Sequence, residues 1–433
     1  MTTAPKRQGI GRALRHKNYR LFFSGQSVSL VGTWITRVAT SWLVYRLTDS
    51  ALLLGLVGFA GQIPTLLLAP FAGVIVDRRN RHTILVWTQI LSALQSAALA
   101  AMALSHTITV TWVIILQVLQ GVINAFDTPA RQAFVVQMVD DRADLPNAIA
   151  LNSTMVNGSR IIGPSIGGII IAAVGEGWCF AIDAVSYVAV IVSLLLMTVP
   201  HVKPKPTGES MLDELRDGFH YVSRFAPVRT SLLLLALVSC MGMPYTVLMP
   251  MIASNVLHGG AHTLGFLMTA SGLGAVVGAL YLASRKTVLG LGRVMTIATL
   301  TFGGGLVLFG FAHTLWVALL VLPFIGAGFM VEMASTNTIL QTITEERLRG
   351  RVMAFYTMAF FGSAPIGSLL AGVAADRIGA GWTIILGGIA CIAGGVWLMF
   401  NLPSMRTLVR PIYIERGILS AVEADTVKAA GVP

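Results

Sequence analysis

Residues 73–82 read GVIVDRRNRH, a short basic turn held between two long apolar stretches. Gly73 leaves room for two helices to approach closely, Asp77 follows four residues later at a helix end, and Arg78, Arg79 and Arg81 crowd a connection too short for a folded lobe. Ionised groups are costly inside hydrocarbon, so a charged turn between such stretches belongs at a membrane surface.

The rest of the chain agrees with that placement. Its 433 residues are 55% hydrophobic and only 11% charged, whereas a water-soluble fold carries about a quarter charged residues. Apolar runs of about 20 residues suffice to cross a bilayer. They occur at 21–45, 52–75, 83–104, 110–134, 148–174, 179–199, 229–256, 262–284, 293–313, 315–340, 350–375 and 381–402, which predicts an all-α membrane protein of twelve spans. The net charge of +11 is scattered over short loops and forms no single face, as nucleic-acid binding would require.

With loops assigned alternately to the two sides, Arg46 and Arg377 fall outside and Arg37, Arg131 and Arg160 fall within spans. All other Lys and Arg lie on the side that holds both termini, so the positive-inside rule predicts cytoplasmic ends in a plasma (inner) membrane. The stretch through Arg20 is basic like a signal n-region, but the span after it is too long, carries Arg37 and lacks a small-residue cleavage pattern. It reads as an uncleaved first helix. Cys179, Cys240 and Cys391 lie in separate spans with neither metal nor disulfide spacing, and read as core filler.

The longest polar interruption, 201–228, opens with VKPKPTG and continues as MLDELRDGFHYVSR. Met211, Leu215, Phe219 and Val222 recur at helical spacing, which predicts a helix lying on the membrane surface. The linker separates an N-terminal bundle (1–200) from a C-terminal bundle (229–402), followed by a cytoplasmic tail (403–433). The two halves repeat. Gly121, Asp127, Asp140, Asp141 and Arg142 coincide with Gly326, Glu332, Glu345, Glu346 and Arg347 at an offset of 205 residues, and the same offset sets Gly73 on Gly278 and Arg81 on Lys286. Duplicated bundles facing each other can rock about the midplane and expose a central cavity to either side in turn.

GVIVDRRNRH resembles the signature between the second and third helices of the major facilitator superfamily, with Asn80 where glycine is usual; asparagine tolerates the left-handed conformation of a tight turn. NGSRIIGPSIGG resembles that superfamily's antiporter signature through Gly158, Gly163, Pro164, Gly167 and Gly168, which implies export. RHKNYRLFFSGQ, DTPARQAF and LPNAIALNS are similar to the branch containing the enterobactin exporter and macrolide efflux proteins. The fourth span reads Gln117-Val118-Leu119-Gln120-Gly121 where drug/proton antiporters usually have Arg-x-x-Gln-Gly, so the arginine tied to proton coupling is missing.

The resemblance implies a cytoplasmic gate in which Asp77 meets the N-terminal end of the eleventh helix near Gly350 to Ala354, and Arg81 reaches Asp127. Gly73, Arg78 and Arg131 belong to the same set, and Glu332 repeats Asp127 opposite Arg285 and Lys286. Gate pairing is the preferred role of Asp127 over proton carriage, and Pro129 should kink its helix. Arg37 and Arg160 are costly within spans and point to a watery path or a buried acid. Trp34, Arg37, Ser41 and Tyr45 share one face of the first span, and Asn157 and Arg160 one of the fifth. They form the candidate cargo cavity with Asp183, unless Asp183 simply pairs with the arginines. Gly163, Pro164, Gly167 and Gly168 offer a smooth face to Gly274 and Gly278 of the eighth span.

No Walker A sequence, catalytic triad order or metal cluster is present. The expectation is a secondary active exporter of small amphipathic molecules, without enzymatic activity, cofactor or metal, driven by a proton gradient with Asp183, Asp127 or Glu332 as possible carriers. Its partners are the cargo and membrane lipid, and it acts as a monomer. Two rival readings are a lipid or lysolipid translocator on the same fold and a non-transporting sensor.

Overall fold

The computed structural model describes residues 11–198, 211–285 and 287–419, and the side chains of 69, 70, 77, 142 and 211–215 lie outside that description. Regular secondary structure among the described residues is entirely helical. The long helices are α1 (Lys17–Thr48), α2 (Ala51–Arg78), α3 (Arg81–Leu104), α4 (Val110–Val135), α5 (Leu145–Val174) and α6 (Glu176–Leu195). After the shorter α7 (Met211–Arg224) come α8 (Ala226–Val256), α9 (Ala261–Ser284), α10 (Leu291–Gly310), α11 (Leu315–Ile343), α12 (Glu346–Ile378) and α13 (Ala380–Glu415).

Eleven of these are long and apolar enough to cross a membrane. The 32-residue α1 is not among them, since Lys17, Arg20, Arg37 and Arg46 dilute its hydrophobicity. It nevertheless packs along α5 and α6. Large apolar side chains such as Leu94, Val185, Trp316 and Phe400 are exposed, as lipid-facing residues are.

Side-chain caps start several helices by satisfying orphan backbone N–H groups. Ser50 accepts from the Leu53 amide at the start of α2, and Thr109 from the Trp112 amide at the start of α4. Asn80 corrects an expectation of left-handed backbone. Its φ of −68° and ψ of 113° are extended, and its side-chain oxygen accepts from the amides of His82 (2.9 Å) and Thr83 (3.4 Å), which makes it the N-cap of α3. Asp49, His106 and His258 take positive φ at three of the other joints, and glycines do so at others. Gly175 (φ 89°) links α5 to α6 and Gly379 (φ 86°) links α12 to α13.

Two compact units emerge, one formed by Met1–Thr207 with Met249–Thr269, the other by Gly208–Leu248 with Ala270–Pro433. In the first, α2 packs on α4, and α3 packs on both α4 and α6. In the second, α10 packs on α11 and α13. The α8 helix carries π-helical segments at Val238–Gly242 and Ile252–Val256. The α13 helix runs through Pro403 and Pro411 to Glu415, so the tail expected from residue 403 begins as helix.

Candidate functional site

The basic turn begins the site. Arg78 closes α2 and Arg81 opens α3, with Asn80 between them as the cap. Asp77's side chain and Lys286 lie outside the described residues, so the contacts expected of them do too. A Cβ built on Gly73 would meet no described atom within 4 Å.

Asp127 is buried in α4, which continues past Pro129 to Val135. Its partners differ from the expected Arg81. Thr88 and Gln89 of α3 donate to its carboxylate at 2.9 and 2.7 Å, and Arg131, one turn on, lies at 3.4 Å. The reason is depth, since Thr88 lies seven residues beyond Arg81, about 10 Å along the helix axis. Glu332 is fully buried and also departs from expectation. Thr336 donates to Oε1 at 3.1 Å, whereas Oε2 has no partner among the described residues. Arg285 turns instead to the Leu289 carbonyl (2.8 Å) and the Tyr281 hydroxyl (3.4 Å).

Of the residues expected at the cavity, the structure brings three together. The Arg37 guanidinium lies 4.8 Å from the centre of the Trp34 ring, and that of Arg160 5.7 Å from it. Trp34 reaches this position because Gly163 of α5 lets the helix backbone close on its Cβ. Ser41 bonds its own helix at the Val38 carbonyl, and Asn157 bonds the Ser153 carbonyl. Tyr45 donates to Asn255. Asp183 does not line this face and is not ion-paired to Arg37. It is 1% exposed and accepts from Ser96 of α3 at 2.8 Å and from Ser186 at 3.5 Å. Gly32 of α1 abuts it closely, since a Cβ there would lie 2.8 Å from Asp183 Oδ1.

The glycine face of α5 divides between two neighbours. Gly163 and Gly167 meet α1 at Trp34 and Ile35, while Gly168 meets α9 at Ala261 and Gly265. Gly265 in turn abuts the carbonyl of Pro164. Gly274 and Gly278 correct the expectation of a match to α5. They pack on Pro323 and Ala327 of α11, because α9 turns that stripe toward α11.

Sequence reading missed two polar constellations. One is a buried stripe of α3 formed by Thr88, Gln89, Ser92, Gln95 and Ser96. Its helical spacing within an otherwise apolar span was the available signal. The other is at the chain start, where His16 bridges Asp140 (3.2 Å) and Asp144 (3.1 Å), and Arg12 joins Asp144 at 3.1 Å. Burial lowers the His16 pKa, but hydrogen bonds and charge from Asp140 and Asp144 outweigh it and raise the value above 6.5. His, Asp and Arg separated by more than a hundred residues give no local pattern.

The family model described as "Transmembrane secretion effector" matches residues 12–412. The staphyloferrin A transporter of Staphylococcus aureus is 28% identical over 376 residues, covering 86% of this chain and 93% of that protein. The multidrug efflux pump Tap of Mycolicibacterium fortuitum is 28% identical over 387 residues, covering 87% and 93%. A crystal structure of a POT family transporter in complex with 5-aminolevulinic acid shares the fold, with a TM-score of 0.71 at 12% identity over 89% of this chain and 96% of that one.

Proposed function

The chain belongs to the transmembrane secretion effector family of the major facilitator superfamily, and on that premise we propose that it exports small amphipathic molecules in exchange for protons. It is a multi-pass membrane transporter and not an enzyme. In this reading it works as a monomer in the inner membrane, by alternating access, with α1 as the first of twelve spans and both termini cytoplasmic. The distribution of Lys and Arg among the loops supports that orientation. Relatives named for staphyloferrin A transport and multidrug efflux support siderophore-like or drug-like cargo.

The observation that carries the cargo class is the pair of guanidinium groups around Trp34. Arg37 has no carboxylate within ion-pair distance among the described residues. A cation held against an indole within a membrane helix bundle attracts an anion that can also stack. An amphipathic cargo with a carboxylate or sulfonate and an aromatic body satisfies both demands. The basic turn with Asp77, Arg78 and Arg81, together with the buried Asp127 and Arg131 deeper along the bundle and with Glu332 and Lys286 repeating them, serves as the conformational gate.

The test compares cargoes of different charge on the purified full chain. Arg160→Ala is expected to weaken binding of the anionic dye sulforhodamine B at least tenfold and that of a neutral lactone by less than twofold. Equal losses on both would remove the charge argument. Lysolipid flux without dye flux in vesicles would favour a lipid translocator. Arg81→Gln is expected to slow transport while leaving dye binding in place, and the reverse pattern would overturn the gate.

A further inference from the structure

A membrane helix buries polar side chains only where they find partners or serve a path. The α3 stripe meets acids at both ends. At one end Thr88 and Gln89 donate to Asp127. In the middle, Gln120 of α4 donates to Ser92 at 3.2 Å and to Asn124 at 3.1 Å. At the other end Gln95 donates to the Leu116 carbonyl at 3.3 Å, and Ser96 joins Gln95 (3.3 Å) to Asp183 (2.8 Å). From Thr88 to Ser96 the helix rises about 12 Å, so the stripe spans a substantial part of the membrane between two carboxyl groups.

The stripe also has unfilled acceptors. The amide oxygens Gln89 Oε1 and Gln120 Oε1 are buried with no partner among the described residues. Buried amide oxygens are almost always hydrogen-bonded, and in a polar site of this kind the usual donor is water. The ionisable groups around Asp183 are few. Tyr187 on the same helix lies within electrostatic reach of both Asp183 and Asp127, and its hydroxyl is 3.5 Å from Thr33 of α1. Otherwise α1 presents Gly32 and Thr36, α3 presents Ser96, and α5 gives its Gly167 carbonyl to the thiol of Cys179.

We propose that this stripe is a hydrated proton path within the first unit, with Asp183 as the carboxyl that takes up the proton and Asp127 as the one that releases it. The inference rests on the proton-coupled reading above and names its route. In the step, a proton forms an O–H bond on Asp183. That bond then breaks toward a bridging water, which passes one of its own protons onward until Asp127 carries it. Asp183 is left as carboxylate, and nothing is oxidised or reduced. The second unit repeats the stripe only in part: the offset sets Gly388 at the place of Asp183 and Val294, Ile297 and Leu300 at those of Gln89, Ser92 and Gln95, while Arg293 and Thr301 stand at those of Thr88 and Ser96.

Infrared spectroscopy of the full chain in lipid tests this without a cargo. The wild type should show a protonated-carboxyl C=O band that titrates with pH and disappears in Asp183→Asn. In Ser92→Ala the equilibrium titration should persist while the rate of band formation after a pH jump falls at least tenfold, a change that a packing role would not produce. Survival of the band in Asp183→Asn, or an unchanged rate in Ser92→Ala, overturns the proposal. Absence of pH-gradient-driven sulforhodamine B efflux from wild-type vesicles, with the infrared results intact, overturns the coupling reading alone. Gradient-driven efflux kept in Asp183→Asn and lost in Glu332→Gln would move the route to the other unit and sink the proposal.

Discussion

The α3/α6 contact of the first unit and the α10/α13 contact of the second hold matching places in the repeat, yet they are closed by opposite means. In the first, the hydroxyls of Ser96 and Ser186 meet the Asp183 carboxylate. In the second, backbones touch. A Cβ on Gly303 would lie 2.7 Å from the Gly388 carbonyl, one on Gly388 would lie 2.6 Å from the Gly303 carbonyl, and Gly381 faces Gly310 in the same way. The buried Thr296 and Thr299 spend their hydroxyls on their own helix. Lipid is as apolar as leucine, so close packing of small residues is sufficient to join two membrane helices. Polar bonds across the contact are therefore not needed for that join, and the buried carboxylate with its hydroxyl donors in the first unit marks that unit with additional work.

The largest expected effect tests the glycine side. Gly303→Leu forces a branched side chain into a backbone contact and should abolish the monodisperse folded protein, with a cost above the usual overpacking range of about 1–3 kcal/mol. A normal melting temperature would break the contrast. On the polar side, Ser96→Ala removes the 2.8 Å donor to Asp183 and should cost about 1–3 kcal/mol in chemical unfolding, as expected for a buried acceptor left short of a partner.

The two repeat acids sharpen the same comparison. Thr336→Ala strips Glu332 of its hydrogen bond, whereas Thr88→Ala leaves Asp127 with Gln89 and Arg131. The first should cost about 1–3 kcal/mol and the second about 0.5–1.5 kcal/mol. Reversed sizes in parallel melts would show that the acids are supported otherwise.

The smallest effect concerns His16. Its folded-state pKa is raised above the ordinary 6.5, so the contribution is present in full below that value and fades as pH climbs through the raised one. His16→Ala should flatten this acid-side gain, which is less than about 1 kcal/mol for so exposed a partner as Asp140. An unchanged pH profile of unfolding would dismiss this contribution of the His16 bridge.

Much of the architecture could be read from residue order. The repeat at Gly121 and Gly326 is real packing, since a Cβ at the first would strike the Gly61 carbonyl and Pro64, and at the second the Ser271 carbonyl. Apolar runs located the helices, but composition marks only the stretch suited to lipid. Hydrogen bonding carries α13 on to Glu415, past the point where polar residues begin. Partner choice was the least legible level. Asp127 and Arg81 looked complementary by charge, yet depth along α3 awarded the acid to Thr88, Gln89 and Arg131. The face that α9 presents depends on its rotation, which periodicity alone does not supply for a helix apolar on every side.

Asn80 has a practical consequence for anyone redesigning this chain. Restoring the glycine customary at that turn in the superfamily would look like a return to the norm. Here it would delete the acceptor that holds the His82 and Thr83 amides, at a cost of a few tenths of a kcal/mol. Consensus engineering would thus lower the melting point at a position where it promises to raise it.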